Sequence, residues 1–181
     1  MVQGHALFRV LKNNTPVDEE RRHAIVELLL RGRHDKCAVG LQEGAIWAVV
    51  CGASPKTLRL LLDAGASPSS KCHIQGATAL HWALAQLAEA HACPDYYRDK
   101  GDAEAIVRLL IARGADLGVG TIQTLQLPGR PHSAHEIGRE DSPPAPIGAT
   151  PRETAIAVSR NAAARDAVLA VYDDAVAQRV A

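Results

Sequence analysis

Histidine, cysteine and acidic residues occur close together at places where they could bind a metal ion. His132, His135 and Glu136 are residue types that zinc hydrolases use. A helical zinc site, however, places its histidines four residues apart with the glutamate between them. Here the histidines are three residues apart and follow Pro131. We interpret this cluster as loop polarity and predict no metal site.

A second set of metal ligands would combine Cys72 and His73 with His91 and Cys93. The two pairs lie at opposite ends of a helix predicted below, about 20 Å apart at 1.5 Å per residue. One coordination sphere cannot span that distance, so we predict no metal and no other cofactor. The cysteines at 37, 51, 72 and 93 include no Cys-x-x-Cys pair, and we expect reduced, buried thiols.

Motifs of nucleophilic catalysis and phosphate binding are absent from the sequence. It contains no Gly-x-Ser-x-Gly segment, and no cysteine is visibly placed beside a histidine and an acid. Gly118 and Gly120 lack the further residues of a phosphate loop, so we interpret them as loop flexibility. The sequence leaves enzymatic activity uncertain and favours a function without catalysis.

The elements that would position these side chains are helices of a repeat. Three apolar segments end at Gly32, Gly65 and Gly114, and a glycine there is typical of a left-handed helix C-cap. The first two glycines are 33 residues apart, and the next interval is 33 plus an insertion of 16. This spacing indicates a 33-residue repeat made of helix pairs.

A second signature follows Gly65 by thirteen residues and reads Thr78-Ala79-Leu80-His81-Trp82-Ala83. It resembles the Thr-Pro-Leu-His-x-Ala motif of the ankyrin repeat family, with alanine in place of proline. The resemblance implies that Thr78 caps the helix and that buried His81 ties neighbouring repeats by hydrogen bonds. A weaker copy begins at Thr150. The repeat-motif residues are Gly65, Thr78, Leu80, His81, Ala83, Gly114, Thr150 and Pro151.

The predicted fold is all-α: an ankyrin-repeat solenoid of about four stacked helix pairs with hairpin fingers, in a single domain over 1–181. With 32 alanines and only six aromatic residues, small side chains should let the helices approach closely, and Trp47 and Trp82 should lie in the core. The predicted pairs are 5–12 with 18–31, 45–51 with 55–64, 79–92 with 103–113, and 151–160 with 162–178.

Two insertions interrupt the repeat. The first, 87–102, should extend a helix as far as Cys93 and then form a loop. That loop contains Tyr96 and Tyr97, which either pack the longer helix or anchor a partner. The second, 117–149, contains five prolines and five glycines. Its composition favours disorder over 130–146, and the alternation over 121–127 is compatible with a strand.

Charge and hydropathy limit the possible partners. Lys and Arg number 20, and Asp and Glu also number 20, so bulk electrostatics gives no reason to expect nucleic acid or an acidic membrane as a partner. The sequence has no apolar run of transmembrane length and no secretory signal at its start. We expect a cytoplasmic protein that is not secreted, with the nucleus left open. The sequence does not set the oligomeric state.

The leading hypothesis is a protein–protein interaction module, acting as an adaptor, inhibitor or sequestering protein on its concave finger surface. The resemblance implies contacts from the fingers and the first turns beside them. Tyr96 and Tyr97 are candidate anchors. The remaining predicted contact residues are His34, Lys36, Glu43, Lys71, His73, Ile74, Gln75 and Gln86.

The alternative is an enzyme or small-ligand binder whose site the two insertions form against the repeat stack. Such a site would use residue types that the repeat itself does not need. They are His91, Cys93, Tyr96, Tyr97, His132 and His135.

Overall fold

The computed structural model describes residues 7, 10, 11, 19–32, 41, 44–72, 76–93, 99–123 and 144–180. Within these ranges the chain forms seven helices and no strand. The all-α prediction is confirmed for this part of the chain. The helices are α1 (Glu19–Arg31), α2 (Gly44–Val50), α3 (Pro55–Asp63), α4 (Ala79–Ala92), α5 (Lys100–Ala112), α6 (Pro151–Val158) and α7 (Ala162–Val180).

These helices form two layers. Helices α2, α4 and α6 pack side by side in the first layer, and α1, α3, α5 and α7 pack in sequence in the second. The layers join through the pairs α2 with α3, α4 with α5, and α6 with α7, and α4 also contacts α7. Each helix pair therefore packs against the next pair along the chain.

Helix α4 forms the centre of the core. Leu80, Leu84 and Leu87 are fully buried on it, and the alanines between them are buried as well. A helix that is apolar on nearly every side must be covered on every side. Its small residues allow α2, α5, α6 and α7 to pack closely around it.

Local sequence explains where the helices begin and end. Ser54 caps α3 by accepting a hydrogen bond from the backbone N–H of Thr57, and Pro55 follows in the first turn. At the other end, Gly65 has a φ of 98°, and Ala66 N–H donates to the Leu61 carbonyl. Gly114 ends α5 in the same way, with a φ of 85°, so the glycine C-caps predicted at these two positions are confirmed.

The helix limits differ from the predicted ones by a few residues. Helix α5 begins at Lys100 rather than at 103, because the Asp99 carboxylate accepts hydrogen bonds from the backbone N–H groups of Gly101 and Asp102. Helix α7 continues to Val180. Of the helix predicted over 5–12, only Leu7, Val10 and Leu11 are described, and all three are helical.

The insertions are described in part. Helix α4 runs to Ala92 and ends at Cys93 as predicted, whereas Tyr96 and Tyr97 lie outside the described residues. In the second insertion, Thr121 N–H donates to the Ala149 carbonyl at 3.2 Å and Gly148 N–H donates to the Thr121 carbonyl at 2.8 Å. The described start and end of this insertion therefore lie side by side. Residues 124–143 are not described, and they include most of the segment 130–146 that was expected to be disordered.

Two expectations for the start of the second insertion are wrong. Residues 121–123, the described start of the segment whose alternation was compatible with a strand, form no strand, and 122 and 123 lie in a bend. Gly120, interpreted as loop flexibility, is required by a close approach, since a Cβ atom there would lie 2.7 Å from the carbonyl oxygen of Gly148.

None of the described helices is long and apolar enough to cross a membrane.

Truncating the core of α4 should destabilise the protein strongly. We expect Leu84→Ala to lower the free energy of unfolding by about 2–5 kcal/mol, because it leaves a cavity in a fully buried site. Leu28→Ala is the matched control: that side chain is 66% exposed, and its loss should change stability by no more than about 0.5 kcal/mol. Urea denaturation followed by circular dichroism measures both. Equal losses for the two variants would contradict this core.

Candidate functional site

His81 connects two neighbouring helix pairs from a fully buried position. Its Nδ1 accepts a hydrogen bond from the backbone N–H of Thr78 at 3.1 Å, and the Thr78 hydroxyl lies 2.9 Å from the same nitrogen. Its Nε2 donates to the carbonyl of Ala149, 3.1 Å away, directly before the α6 pair. With Nδ1 accepting and Nε2 donating, the ring is the neutral Nε2–H tautomer.

The electrostatics of His81 keep the ring neutral. Burial lowers the pKa of His81 below its ordinary value of 6.5, and the nearby Lys71 charge acts in the same direction. The carbonyl acceptors of Ala149 and Val119 oppose this shift without cancelling it. A fully buried, neutral histidine with both ring nitrogens occupied is suited to holding helix pairs together rather than to acid–base catalysis.

Thr150 begins the corresponding turn of the last helix pair. Its backbone N–H donates to Oε2 of Glu153 at 2.8 Å, and its hydroxyl accepts from the Glu153 N–H at 3.4 Å. This reciprocal arrangement is a capping box, with Glu153 at the position that His81 occupies in the preceding pair. Hydrogen bonds from the backbone and hydroxyl of Thr150 lower the pKa of Glu153. Glu153 is exposed, so here the motif caps one helix and does not bridge to another pair.

A short hairpin precedes α4. Lys71 pairs with Thr78 as an isolated antiparallel bridge, and Cys72 N–H donates to the Ala77 carbonyl at 2.8 Å. At its described end, Gly76 packs so tightly against the second insertion that a Cβ atom there would lie 2.9 Å from Cγ1 of Ile122. The hairpin and the insertion thus meet directly.

Exposed apolar side chains lie at this meeting point. Ile122 is 57% exposed and Ile147 is 69% exposed, on the two stretches that Thr121 joins through its backbone bonds to 148 and 149. Lys71 is exposed on the adjoining hairpin. We call Lys71, Ile122 and Ile147 the finger surface. Large apolar side chains exposed together are typical of a surface that another molecule covers.

The two isoleucines were missed by reasoning from sequence. Ile122 was considered only as part of a segment compatible with a strand, and Ile147 only as part of the second insertion, one residue beyond the stretch expected to be disordered. The available signal was a large apolar residue near each end of the proline-rich and glycine-rich insertion. A solvent-exposed loop does not require apolar side chains at such positions. What the sequence does not contain is the backbone pairing that brings the two ends together.

The prediction that Gln86 contacts a partner is wrong. Gln86 is 1% exposed, and its Nε2 donates to the carbonyl of Val49 at 2.8 Å. The carbonyls in the last turn of a helix lack partners within that helix, and α2 ends one residue after Val49. Gln86 therefore supplies a hydrogen bond inside the core, where α2 covers α4.

Trp82 lies in the core as predicted, and Trp47 is half-buried at the edge of the core.

Most other predicted contact residues are not described. The predicted contact residues that lie outside the described ranges are His34, Lys36, Glu43, His73, Ile74, Gln75, Tyr96 and Tyr97.

The residues of the alternative enzymatic site are separated where they are described. Cys93 Sγ lies 3.9 Å from Oε2 of Glu89, whose other oxygen lies 3.1 Å from Nε of Arg160. Catalytic thiols lie beside cations or helix N-termini. Cys93, by contrast, is buried beside a carboxylate at the C-terminal end of α4.

His91 faces a different carboxylate, with its Nε2 3.8 Å from Oε1 of Glu104. Burial, and then the Lys100 charge, lower the pKa of His91, with Glu104 opposing. His91 and Cys93 therefore form no pair of base and nucleophile. His132 and His135 lie in the undescribed part of the insertion. Within the part of the chain that the structure describes, no group of three or more His, Cys, Asp or Glu residues is arranged to hold a metal ion.

Comparison of this chain with protein-family models, with curated proteins and with solved structures found no match. Functional inference therefore rests on the repeat motif, the packing of the helices and the exposed finger surface.

Lowering the pH should decrease the free energy of unfolding, because His81 has a lowered pKa in the folded chain. Its pKa is lowered in the folded chain, so the unfolded chain binds more protons once the pH falls below the ordinary value of 6.5. The contribution of His81 to the stability of the folded chain is complete above pH 6.5. It is lost as the pH falls from there toward the lowered pKa that His81 has in the folded chain. Urea midpoints measured between about pH 8 and pH 5 should therefore decrease toward acid.

His81→Gln should flatten this dependence and lower the free energy of unfolding by about 1–3 kcal/mol at neutral pH, because a buried polar group loses its partner. His91→Gln is the comparison, since the lowered pKa of His91 contributes a slope of the same sign. An unchanged slope in His81→Gln would refute the assigned role of His81.

Proposed function

We propose that this chain is an ankyrin-type repeat protein that binds another protein through its finger surface. Three features support the ankyrin-type arrangement: helix pairs that stack in sequence, glycine C-caps that end α3 and α5, and the hydrogen bonds of His81 across neighbouring pairs. The hairpin from Lys71 to Thr78 corresponds to a finger between two repeats. The arrangement is an inference from the motif and the packing together.

The exposure of Ile122 and Ile147 is the observation that carries the binding function. An isolated exposed apolar residue needs no explanation, but here two large ones adjoin on backbone-paired segments. They lie where fingers of a repeat stack form an extended surface, which suits a protein partner better than a small substrate.

The finger surface also indicates the chemistry of its partner. Its apolar part is contributed by Ile122 and Ile147, and its described charge is the cation of Lys71. A complementary partner segment would present apolar side chains beside a carboxylate. Because the whole chain has no net charge, selection would depend on these local contacts and not on long-range attraction. The mechanism is capture or steric masking of the bound protein.

The enzymatic alternative gains no support from the described residues. Cys93 lies beside Glu89, and His91 lies beside Glu104. At this end of α4, Glu89 instead pairs with Arg160, which lies in the segment between α6 and α7.

We place this activity in the cytoplasm, with the nucleus also possible. Cys72 and Cys93 are free thiols, and such thiols are common in reducing compartments.

A pull-down with matched variants tests the proposed function. The bait carrying Ile122→Glu and Ile147→Glu should lose its specific partner, with recovery reduced at least about tenfold, because carboxylates replace the apolar contacts. Quantitative mass spectrometry of proteins recovered from native lysate measures the loss. Leu28→Glu, on the exposed side of α1, is the control and should retain the partner.

A photo-reactive amino acid at position 147 should also crosslink the same partner, whereas one at position 28 should not. Equal recovery by the finger variant and the wild type would place the interface elsewhere. Circular dichroism melts of all baits confirm that folding is unchanged.

A further inference from the structure

His81 contacts both of the segments that carry the finger surface. On one side, its Nδ1 accepts a hydrogen bond from the backbone N–H of Thr78 at 3.1 Å, and Thr78 is the residue that pairs with Lys71 in the hairpin. On the other side, its Nε2 donates to the Ala149 carbonyl at 3.1 Å. One buried ring therefore joins the hairpin to the second insertion.

The insertion side of this junction lies next to both exposed isoleucines. The Ala149 carbonyl that receives His81 also accepts the backbone N–H of Thr121 at 3.2 Å. Ile122 follows Thr121, and Ile147 lies two residues before Ala149. The bond from His81 thus ends on the same group that holds the segments carrying Ile122 and Ile147.

The hairpin side of the junction lies next to Ile122 as well. Thr78 is fully buried at the end of the hairpin. Gly76, two residues earlier, packs so closely on Ile122 that a Cβ atom there would lie 2.9 Å from Ile122 Cγ1. The place of the hairpin against Ile122 therefore depends on how Thr78 is held, and His81 holds it.

The two bonds of His81 respond in opposite ways to a proton. A protonated imidazole has two donors and no acceptor. Its Nδ1–H would face the N–H of Thr78, and this buried N–H would lose its acceptor. The Thr78 hydroxyl, 2.9 Å from Nδ1, can accept from the charged ring but cannot restore that bond. The bond from Nε2 to Ala149 would persist and become charge-assisted. Protonation therefore breaks the attachment of the hairpin and keeps that of the insertion.

The surroundings of the ring oppose its protonation near neutral pH. Burial lowers the pKa of His81, and the charge of Lys71 on the hairpin lowers it further. The carbonyls of Ala149 and Val119 on the insertion act in the other direction. The ring is therefore set to respond to acid.

The other elements packed on α4 direct their charges elsewhere. Helix α2 has no ionisable side chain. Glu153 of α6 is exposed and bound to its own N-cap. On α5, Glu104 lies beside His91, and Arg108 pairs with Asp174 of α7. Within the described part of the chain, Lys71 is the charge that acts on His81.

We propose that His81 is the positioning residue of the finger surface, and that acid disables this surface by protonating Nδ1 and separating the hairpin from the insertion. Release of the bound protein by acid is the consequence, and that consequence rests on the proposed function. The separation itself is local: α4 and the helices around it stay folded while Lys71 moves away from Ile122 and Ile147.

Methyl NMR of the full chain between about pH 8 and pH 5 tests the separation without a partner. The δ1-methyl signal of Ile122 should move with pH, because Gly76 packs against this side chain. Its midpoint should match that of the His81 ring, followed by the Cε1 signal of the same sample. Protection of the Thr78 amide from hydrogen exchange should fall at least about tenfold over the same step.

Other isoleucines report whether the change is local. Ile106 is buried on α5 and Ile25 is exposed on α1, and both methyl signals should stay in place through the step. Ile147 should move less than Ile122, because the insertion keeps its bond to the ring.

A pair of variants assigns the titration to His81. In His81→Gln, which does not titrate in this range, the pH dependence of the Ile122 signal should disappear. His91→Gln is the matched control at the other end of α4 and should retain it. The pair also separates His81 from His73, His132 and His135, outside the described residues, because their effect would persist in His81→Gln.

Three results would overturn the proposal. The first is an Ile122 signal that does not move while the His81 ring titrates. The second is loss of the Ile122 and Ile106 signals together, because the event would then be global unfolding. The third is an Ile122 titration that persists in His81→Gln.

Two features of this design keep its outcomes distinct. If His81→Gln does not fold, the comparison of the Ile122 and His81 midpoints in the wild type decides the question. The proposed function is tested separately at neutral pH by the variant carrying Ile122→Glu and Ile147→Glu. Either proposal can therefore fail while the measurement for the other succeeds.

Discussion

The structure depends on the burial of α4 from Ala79 to Glu89. A helix with leucines and alanines around most of its circumference cannot remain at a surface, so other helices must cover it. The first layer covers it with α2 and α6, and the second covers it with α5 and α7. The alanines set how closely these helices approach, and the two-layer arrangement follows from covering this one helix.

Burying α4 also determines what its polar side chains can do. His81 bonds toward the following pair through Ala149, and Gln86 bonds toward the preceding pair through Val49. Glu89 pairs with Arg160 in the segment between α6 and α7. Each of these three side chains thus has a partner on another segment, which offsets the cost of burying a polar group. Side chains engaged in this way hold the helix pairs together, so the binding that we propose would use exposed residues such as Ile122 and Ile147.

Much of the fold could be predicted from local signals in the sequence. The glycines at 65 and 114 take the left-handed conformation, α4 extends to Ala92, and His81 is buried with both ring nitrogens bonded. These features depend on residues near one another in the chain or on a motif with a fixed geometry. They are the features for which a single sequence is most informative.

The candidate site was less predictable, because it depends on contacts between distant segments. Gln86 was expected at a surface, but only the position of α2 determines that its amide is buried. Thr121 pairs with 148 and 149 across an insertion, and no pattern over 121–127 indicates that pairing. The exposure of Ile147 follows from it and was likewise not predictable.

Native-state amide hydrogen exchange of the full chain tests the central place of α4 most directly. If the covering of α4 organises the fold, the amides of Leu84 and Leu87 should exchange only through global unfolding and should be the slowest in the protein. Among the described helices, α1 packs closely against α3 alone, so its amides should exchange faster through local opening. Exchange in α4 as fast as that in α1 would contradict this account.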